Sequence, residues 1–326
     1  MYYESYQKKP PRRRRRRKSF KAWFTGLILR TLAVVILLAV VCAGSLYALP
    51  VSFFMIEPRD KDLSLTDGLP SSHLNVLLMG VDVLSENSQR SDAMIVASIG
   101  YNDVKLTSFM RDMVVNIPGY GSGRLNSAYA HGGPELVMRT LNSNFGLNIM
   151  HYAAVDFVSL VEIIDAIGGV DIDITEAEME QINNNVYKSR KVFAPLGYTA
   201  TALTEYGEGV HLNGLRALGY ARIRKIDSDF MRTSRQRILL KAMIKGVRSR
   251  LWNPVMYVRL GNALIHSVET NMSVPQLVSL GGKALFAGDV QQKRIPVEGS
   301  YTDNGATLRI DSYKANTDAF RAFVYE

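Results

Sequence analysis

Thiols are nearly absent: Cys42 is the one cysteine among 326 residues. No disulfide can close within the chain, and no site built from several cysteines can hold a metal or an iron–sulfur cluster. The five histidines, His73, His131, His151, His211 and His266, show no metal-ligand spacing. The sequence also contains no P-loop, no HExxH, no GxSxG and no CxxC, which removes the common nucleotide-hydrolysing, zinc-protease, serine-hydrolase and thiol-redox classes. Gly119–Tyr120–Gly121–Ser122–Gly123 is rich in glycine but follows Pro118 and opens no clear helix, so it reads as a flexible turn rather than a phosphate cradle. Charge is missing altogether between Thr31 and Ile56.

That uncharged run explains the most conspicuous excess. The formal net charge is +9, yet residues 1–30 hold eleven Lys or Arg (Lys8, Lys9, Arg12 to Arg17, Lys18, Lys21, Arg30) against Glu4 alone. The remainder carries 28 basic and 29 acidic side chains. About 20 apolar residues span a bilayer as a helix, the form that satisfies its own backbone there. A cleaved signal peptide has an apolar core of about 7–15 residues, shorter than this one. Basic residues beside a span stay on the cytoplasmic side. The expected organisation is therefore a basic cytoplasmic tail (1–30), a transmembrane helix (31–56), a polar linker (57–73) and an extracellular domain (74–326), a single-pass cell-membrane protein. The Arg run could bind nucleic acid, but its place immediately before a span assigns it to topology and anionic lipid, and no nucleic acid is expected as a partner.

Within the exported part, Asn75–Val81, Ala93–Ser98 and Val104–Met110 are strand-length apolar runs, with a turn signature at Gly100–Asp103. As an up-down-up meander they would bring Asp82, Asp92 and Arg111 to one rim. Helices are expected at Pro134–Phe145, Phe157–Ile167, Leu212–Leu218, Ser234–Val247, Val274–Leu285 and Ser312–Val324, with further strands at Tyr152–Val155, Val170–Ile174 and Gln291–Pro296. Strands alternating with helices imply an α/β domain, a central mixed sheet covered by helices.

Arginine is concentrated at Arg111 and in Tyr220–Arg237 (YARIRKIDSDFMRTSRQR). Arg222 and Arg224 would share a face of an extended segment, and Arg232 and Gln236 a face of a helix, with Arg235 able to join them. A solvated basic face is the plain alternative. Arginine's planar fork, however, matches phosphate oxygens in a way that a lysine point charge does not. Asp82 and Asp92 add hard oxygen ligands with no Cys or His nearby, which suits Mg²⁺ shared between carboxylates and substrate phosphates.

Seven motifs follow in order: NVLLMGVD, RSDAM, SFMRDMVVNIPG, RLNSAYAHGGPE, VDFVSLVEIIDAIGGVDIDI, LNGLRALGYARIRK and DFMRTSRQR. In these the sequence resembles the LytR–CpsA–Psr family of cell-wall glycopolymer ligases, over about residues 74–250. The resemblance implies a pocket for a polyprenyl chain, with helices such as Phe157–Ile167 and Ile238–Val247 lending apolar faces, and a charged mouth for its pyrophosphate. It implies Asp82 and Asp92 as Mg²⁺ ligands, and Asp92, Arg111, Arg222, Arg224 and Asp229 as catalytic groups. Pyrophosphate contacts would come from Arg90, Arg111, Arg124, Arg222, Arg224, Arg232 and Gln236. Two positions depart from the family pattern: Met110 replaces the proline of S-x-P-R-D, and Arg124 the lysine of K-I-N.

The implied activity is transfer of a glycopolymer from a polyprenyl-pyrophosphate carrier to peptidoglycan, with either Asp92 or Asp229 accepting the hydroxyl proton. Two other readings remain open, a membrane-anchored transcriptional regulator and a non-catalytic polyprenyl-phosphate-binding scaffold. Metal-dependent turnover separates the first reading from both.

Overall fold

The computed structural model describes residues 62–82 and 90–326. The basic tail and the span expected at 31–56 lie outside the described residues. Among the described residues no helix is long and apolar enough to cross a membrane.

The chain runs β1 (Leu74–Asp82), β2 (Arg90–Ile99), β3 (Val104–Phe109), β4 (Met113–Ile117), β5 (Gly121–Arg124), α1 (Leu125–Phe145), β6 (His151–Asp156), α2 (Phe157–Ile167), β7 (Val170–Ile174) and α3 (Glu176–Phe193). It continues through β8 (Gly207–Leu212), α4 (Gly214–Ala221), α5 (Asp229–Ser249), α6 (Pro254–Ser267), β9 (Val268–Thr270), α7 (Val274–Phe286), β10 (Val290–Ile295), β11 (Tyr301–Asp303), β12 (Leu308–Ile310) and α8 (Tyr313–Tyr325). The main sheet is ordered β10-β3-β2-β1-β6-β9. β1, β2 and β3 form the expected antiparallel meander, while β6 lies parallel to β1 and β10 parallel to β3. The sheet is mixed and both its faces are covered.

Strand β1 shows why. Its side chains alternate across the sheet, and both sets are apolar, the mark of a strand with no solvent face. Leu77, Met79 and Val81 join a core with Phe109, Phe145 and Phe320 under α1 and α8. Leu74 and Val76 join Leu106, Val290 and Leu280 on the side of α5 and α7. A third core gathers Val161, Ile164, Ile172, Ile182, Leu212, Leu218 and Leu239 from α2, β7, α3, β8, α4 and α5. Of the apolar residues on the two helices expected to line a lipid pocket, Val161, Ile164 and Ile167 of α2 and Leu239, Ala242 and Val247 of α5 are buried in cores, whereas Phe157, Val158, Leu160, Met243 and Ile244 are half-buried and Ile238 is exposed.

Several boundaries move. The helix expected at Leu212–Leu218 is α4, shifted later because Leu212 closes β8 and Asn213 caps the helix by accepting from Arg216 N–H at 3.0 Å. The helix expected from Ser234 begins at Asp229. The glycine-rich segment is a turn only as far as Tyr120; Gly121–Arg124 is β5, paired antiparallel to β4. Residues 62–66, within the stretch expected as linker, lie against the domain. Asn142 donates to the Leu63 carbonyl at 2.9 Å, Thr66 N–H to that of Leu147 at 3.0 Å, and Asp62 pairs with Arg139 at 2.7 Å.

Candidate functional site

The register between β1 and β2 slips after Gly80: Gly80 opposes Ala93 while Val81 opposes Ser91. Asp92 is the extra residue of this bulge, and bulges re-aim the side chain they carry. Asp92 thus lies inside β2 rather than ahead of it. Asp82, at the end of β1, stands opposite Arg90. Arg111 occupies the tight turn Met110–Met113, where the chain leaves the main sheet after β3 and enters the small sheet at β4. The bulge and this turn bring the two side chains together.

Arg111 Nη1 donates to Asp92 Oδ1 at 2.6 Å, and Arg224 Nη2 donates to Asp92 Oδ2 at 2.9 Å. Arg111 reaches on to Asp229 Oδ1 at 3.6 Å, and Asp229 Oδ2 accepts from Arg232 Nη2 at 2.8 Å. The result is one alternating row, Arg224–Asp92–Arg111–Asp229–Arg232, spanning 140 positions of sequence. Arg222, at the C-terminal cap of α4, lies within electrostatic reach of Asp82, Asp92 and Arg224, and its guanidinium carbon sits 4.5 Å above the Phe157 ring. Asp112, which sequence reasoning did not use, faces Arg111 Nε at 3.4 Å.

Burial would raise the Asp92 carboxyl, but Arg111, Arg224 and Arg232 outweigh it and hold its pKa below the ordinary 3.8. Arg232 shows the opposite balance. It is 2% exposed, and burial, together with Arg111 and Arg224, pulls its pKa down to about 10 despite Asp229. Its Nε and Nη1 are buried and have no hydrogen-bond partner among the described residues. A buried, unmatched donor costs about 1–3 kcal/mol, more when charged, so these two nitrogens are where Arg232 can take a further acceptor.

Not every expected residue joins this row. Arg90 is exposed across from Asp82, and Arg124 is exposed in the second sheet where β5 meets α1; neither makes an ion pair among the described residues. Gln236 is half-buried one turn beyond Arg232, outside the row of contacts. Arg235 does not join Arg232. It pairs with Glu178 Oε1 at 2.8 Å and with Asp227, tying α5 to α3 and to the loop before α5. Glu178 was not anticipated, because α3 was not read as a helix. Among the described residues no group of three His, Cys, Asp or Glu side chains is arranged to hold a metal. A cleft of about 530 Å³ between α2 and α6, whose lining includes Glu162, Asp165, Ala166, Tyr198, Arg259 and Ala263, contains none of the expected site residues.

This arrangement, an acid–arginine row at the rim of a mixed sheet, coincides with a match to the family model described as LytR_cpsA_psr family over residues 56–321. The chain belongs to the LytR_cpsA_psr family. It is 30% identical over 266 residues to regulatory protein MsrR of Staphylococcus aureus, covering 78% of this chain and 75% of that protein. It is 30% identical over 295 residues to the polyisoprenyl-teichoic acid–peptidoglycan teichoic acid transferase TagU of Enterococcus faecalis, covering 85% and 89%. The fold matches the solved family protein YwtF (TagT) with bound octaprenyl pyrophosphate lipid, with a TM-score of 0.56 and 19% identity over 82% of this chain and 94% of that one.

Proposed function

We propose that this family member is a membrane-anchored, Mg²⁺-dependent phosphotransferase that moves a glycopolymer from a polyprenyl-pyrophosphate carrier onto peptidoglycan at the outer face of the cell membrane. The observation that carries the reading is Arg232, whose buried, unmatched nitrogens lie at the end of a row of arginines and carboxylates. The E. faecalis relative named as a teichoic acid transferase supports the substrate class.

In this reading a sugar hydroxyl of peptidoglycan attacks the phosphorus on the glycopolymer side of the pyrophosphate. A new P–O bond forms, the bond to the bridging oxygen breaks, and its electron pair leaves with polyprenyl phosphate. Arg111, Arg222, Arg224 and Arg232 bind and neutralise the pyrophosphate oxygens as charge develops on them. Arg90, exposed at the rim, and Arg124 would bear on the polymer beyond. Asp92 is held low by three arginines, which disfavours it as a proton acceptor. Asp229, whose Oδ1 has only a 3.6 Å contact, is the better acceptor of the hydroxyl proton. Asp82, at the end of β1, and Asp92, at the bulge of the neighbouring β2, offer oxygen donors alone, a donor set that fits Mg²⁺ completed by substrate phosphates. When bound, the ion would screen the negative charge of the pyrophosphate.

Purified full-length protein, given a lipid-linked teichoic acid donor and peptidoglycan, should render the polymer wall-bound, and a chelator should stop the reaction until Mg²⁺ is restored. Arg222→Ala should lower turnover by roughly 10²–10³-fold, the usual loss on removing one charge-stabilising donor. An unchanged rate for the variant would refute the role given to Arg222, and no transfer by the wild-type protein with any donor of this class would refute the transferase reading. That second outcome would leave the regulatory role named for the S. aureus relative as the better one.

A further inference from the structure

A second surface lies at the opposite end of the main sheet from the acid–arginine row. That end holds the start of β1, the β2–β3 turn at Gly100–Asp103 and the start of β6, as the register requires. Helix α7 is fixed to it at both ends. Asn271, just before α7, donates to the Met150 carbonyl at 2.8 Å, and Gly288 N–H, just after it, donates to the Asn102 carbonyl at 2.7 Å. Helix α5 starts in the row with Asp229 and runs back to this end. There Arg248 caps the last carbonyls of α7, and Arg250 donates to the Gly168 carbonyl at 3.2 Å. Trp252 follows at once.

Here the protein exposes large apolar side chains. Trp252 is 98% exposed, Val258 73% and Val274 66%, with Val255 and Val278 also exposed. Val255 and Val258 are three apart at the start of α6, Trp252 lies in the turn just ahead of its cap Asn253, and Val274 and Val278 are one turn apart on α7, so each helix presents an outward apolar pair. No acid occurs in the sequence between Phe230 and Val268, although Glu162 and Asp165 of α2 line the cleft that Arg259 also lines. Lys245 and Arg259 are exposed and make no ion pair among the described residues. The chain also enters the domain at this end. Asp62 is docked on Arg139, only six residues after Ile56 closes the uncharged run, a reach of roughly 20 Å at full extension.

We propose that Trp252, Val255, Val258, Val274 and Val278 form a docking surface for an anionic phospholipid bilayer, seating the domain on the outer leaflet that its own anchor enters. Tryptophan and small apolar side chains enter the headgroup region while Lys245 and Arg259 meet lipid phosphates. The inference rests on the membrane-anchored reading above and extends it from a tether to a fixed orientation.

The chain contains two tryptophans, Trp23 and Trp252, so Trp23→Phe leaves Trp252 as the sole reporter. Full-length Trp23→Phe protein would be reconstituted into phosphatidylglycerol–phosphatidylcholine vesicles with chain-brominated phosphatidylcholine. Flotation after a urea wash reports the anchor, and quenching of Trp252 reports docking. The expected result is flotation with blue-shifted, bromine-quenched emission. Adding Val255→Asp and Val258→Asp should abolish quenching without loss of flotation or circular-dichroism signal. Lys245→Glu with Arg259→Glu should weaken it in anionic vesicles. Protein that floats with unquenched Trp252 overturns the docking surface and leaves the anchor standing. Blue-shifted but unquenched emission also overturns it, because a second copy or another protein then covers the patch. Protein that fails to float overturns the anchor, and docking with it.

Discussion

Arg232 places a whole guanidinium in the interior and gives it one hydrogen bond, to Asp229. Removing one partner of a buried pair usually destabilises by about 3–5 kcal/mol, because the other charge is left buried and alone. Asp229 is differently placed: its side chain is 28% exposed and Arg111 still stands 3.6 Å away. The unmatched Nε and Nη1, by contrast, lose their desolvation penalty when the head group is deleted. Arg232→Met should therefore leave the thermal midpoint unchanged or raise it, while abolishing the thermal shift produced by a polyprenyl-pyrophosphate analogue. A midpoint lowered by many degrees with the ligand shift intact would mean that Arg232 serves folding alone. Met110 makes a related point. Its N–H donates to the Ile295 carbonyl at 3.0 Å, a bond that the proline of the family pattern could not make, and Arg111 keeps its place beside it.

Elements carry these residues to the site, and α4 does so under the tightest constraint. A Cβ at Gly214 would lie 2.3 Å from the Val161 carbonyl oxygen of α2, a backbone atom that cannot rotate aside. Gly214→Ala should lower stability by about 1–3 kcal/mol, the range for overpacking a core. Because α4 is only eight residues long and ends at Arg222, the same variant should reduce turnover more than an equally destabilising change in α8. Chemical denaturation and turnover measured on both variants would test this; equal losses would show that α4 does not position Arg222. The meander was legible because β1 to β3 are short apolar runs of strand length separated by a turn signature, and α2 because Asp156 caps one end, accepting from Ser159 N–H at 2.7 Å, and Gly168 closes the other with φ 93°. The bulge at Asp92 was not legible, since a one-residue slip leaves no trace in an apolar pattern. Helix α3 was missed because EAEMEQINNNVYKSRKVF is largely polar and buries only Ile182, Val186, Ser189 and Phe193. Its Thr175–Glu178 capping box was a local signal that would have found it. The convergence of Arg224 on Asp92 was readable only through the family motifs, because no local rule relates positions 132 apart.

For the whole molecule the question is which way the domain faces. β1, nine residues at about 3.3 Å each, separates the acid–arginine row from the entry end of the sheet by roughly 30 Å. If the entry end lies toward lipid, a pyrophosphate at the row stands well clear of the membrane, where peptidoglycan can reach it. The eleven basic residues of positions 1–30 argue that the tail stays in the cytoplasm and that everything after Ile56 is outside. With Cys42 changed to Ala to remove the native thiol, Ser71→Cys gives an exposed thiol ahead of β1, whereas Ser64 is a poor choice because its φ of 51° and its N–H bond to Asp62 fix it against the domain. On intact cells stripped of their wall, an impermeant maleimide should label Cys at position 71 and spare one placed at Ser19, and permeabilisation should make both react. Labelling of position 19 alone would put the acid–arginine row in the cytoplasm, away from peptidoglycan. No transfer to the wall could then occur, whatever the chemistry of the site.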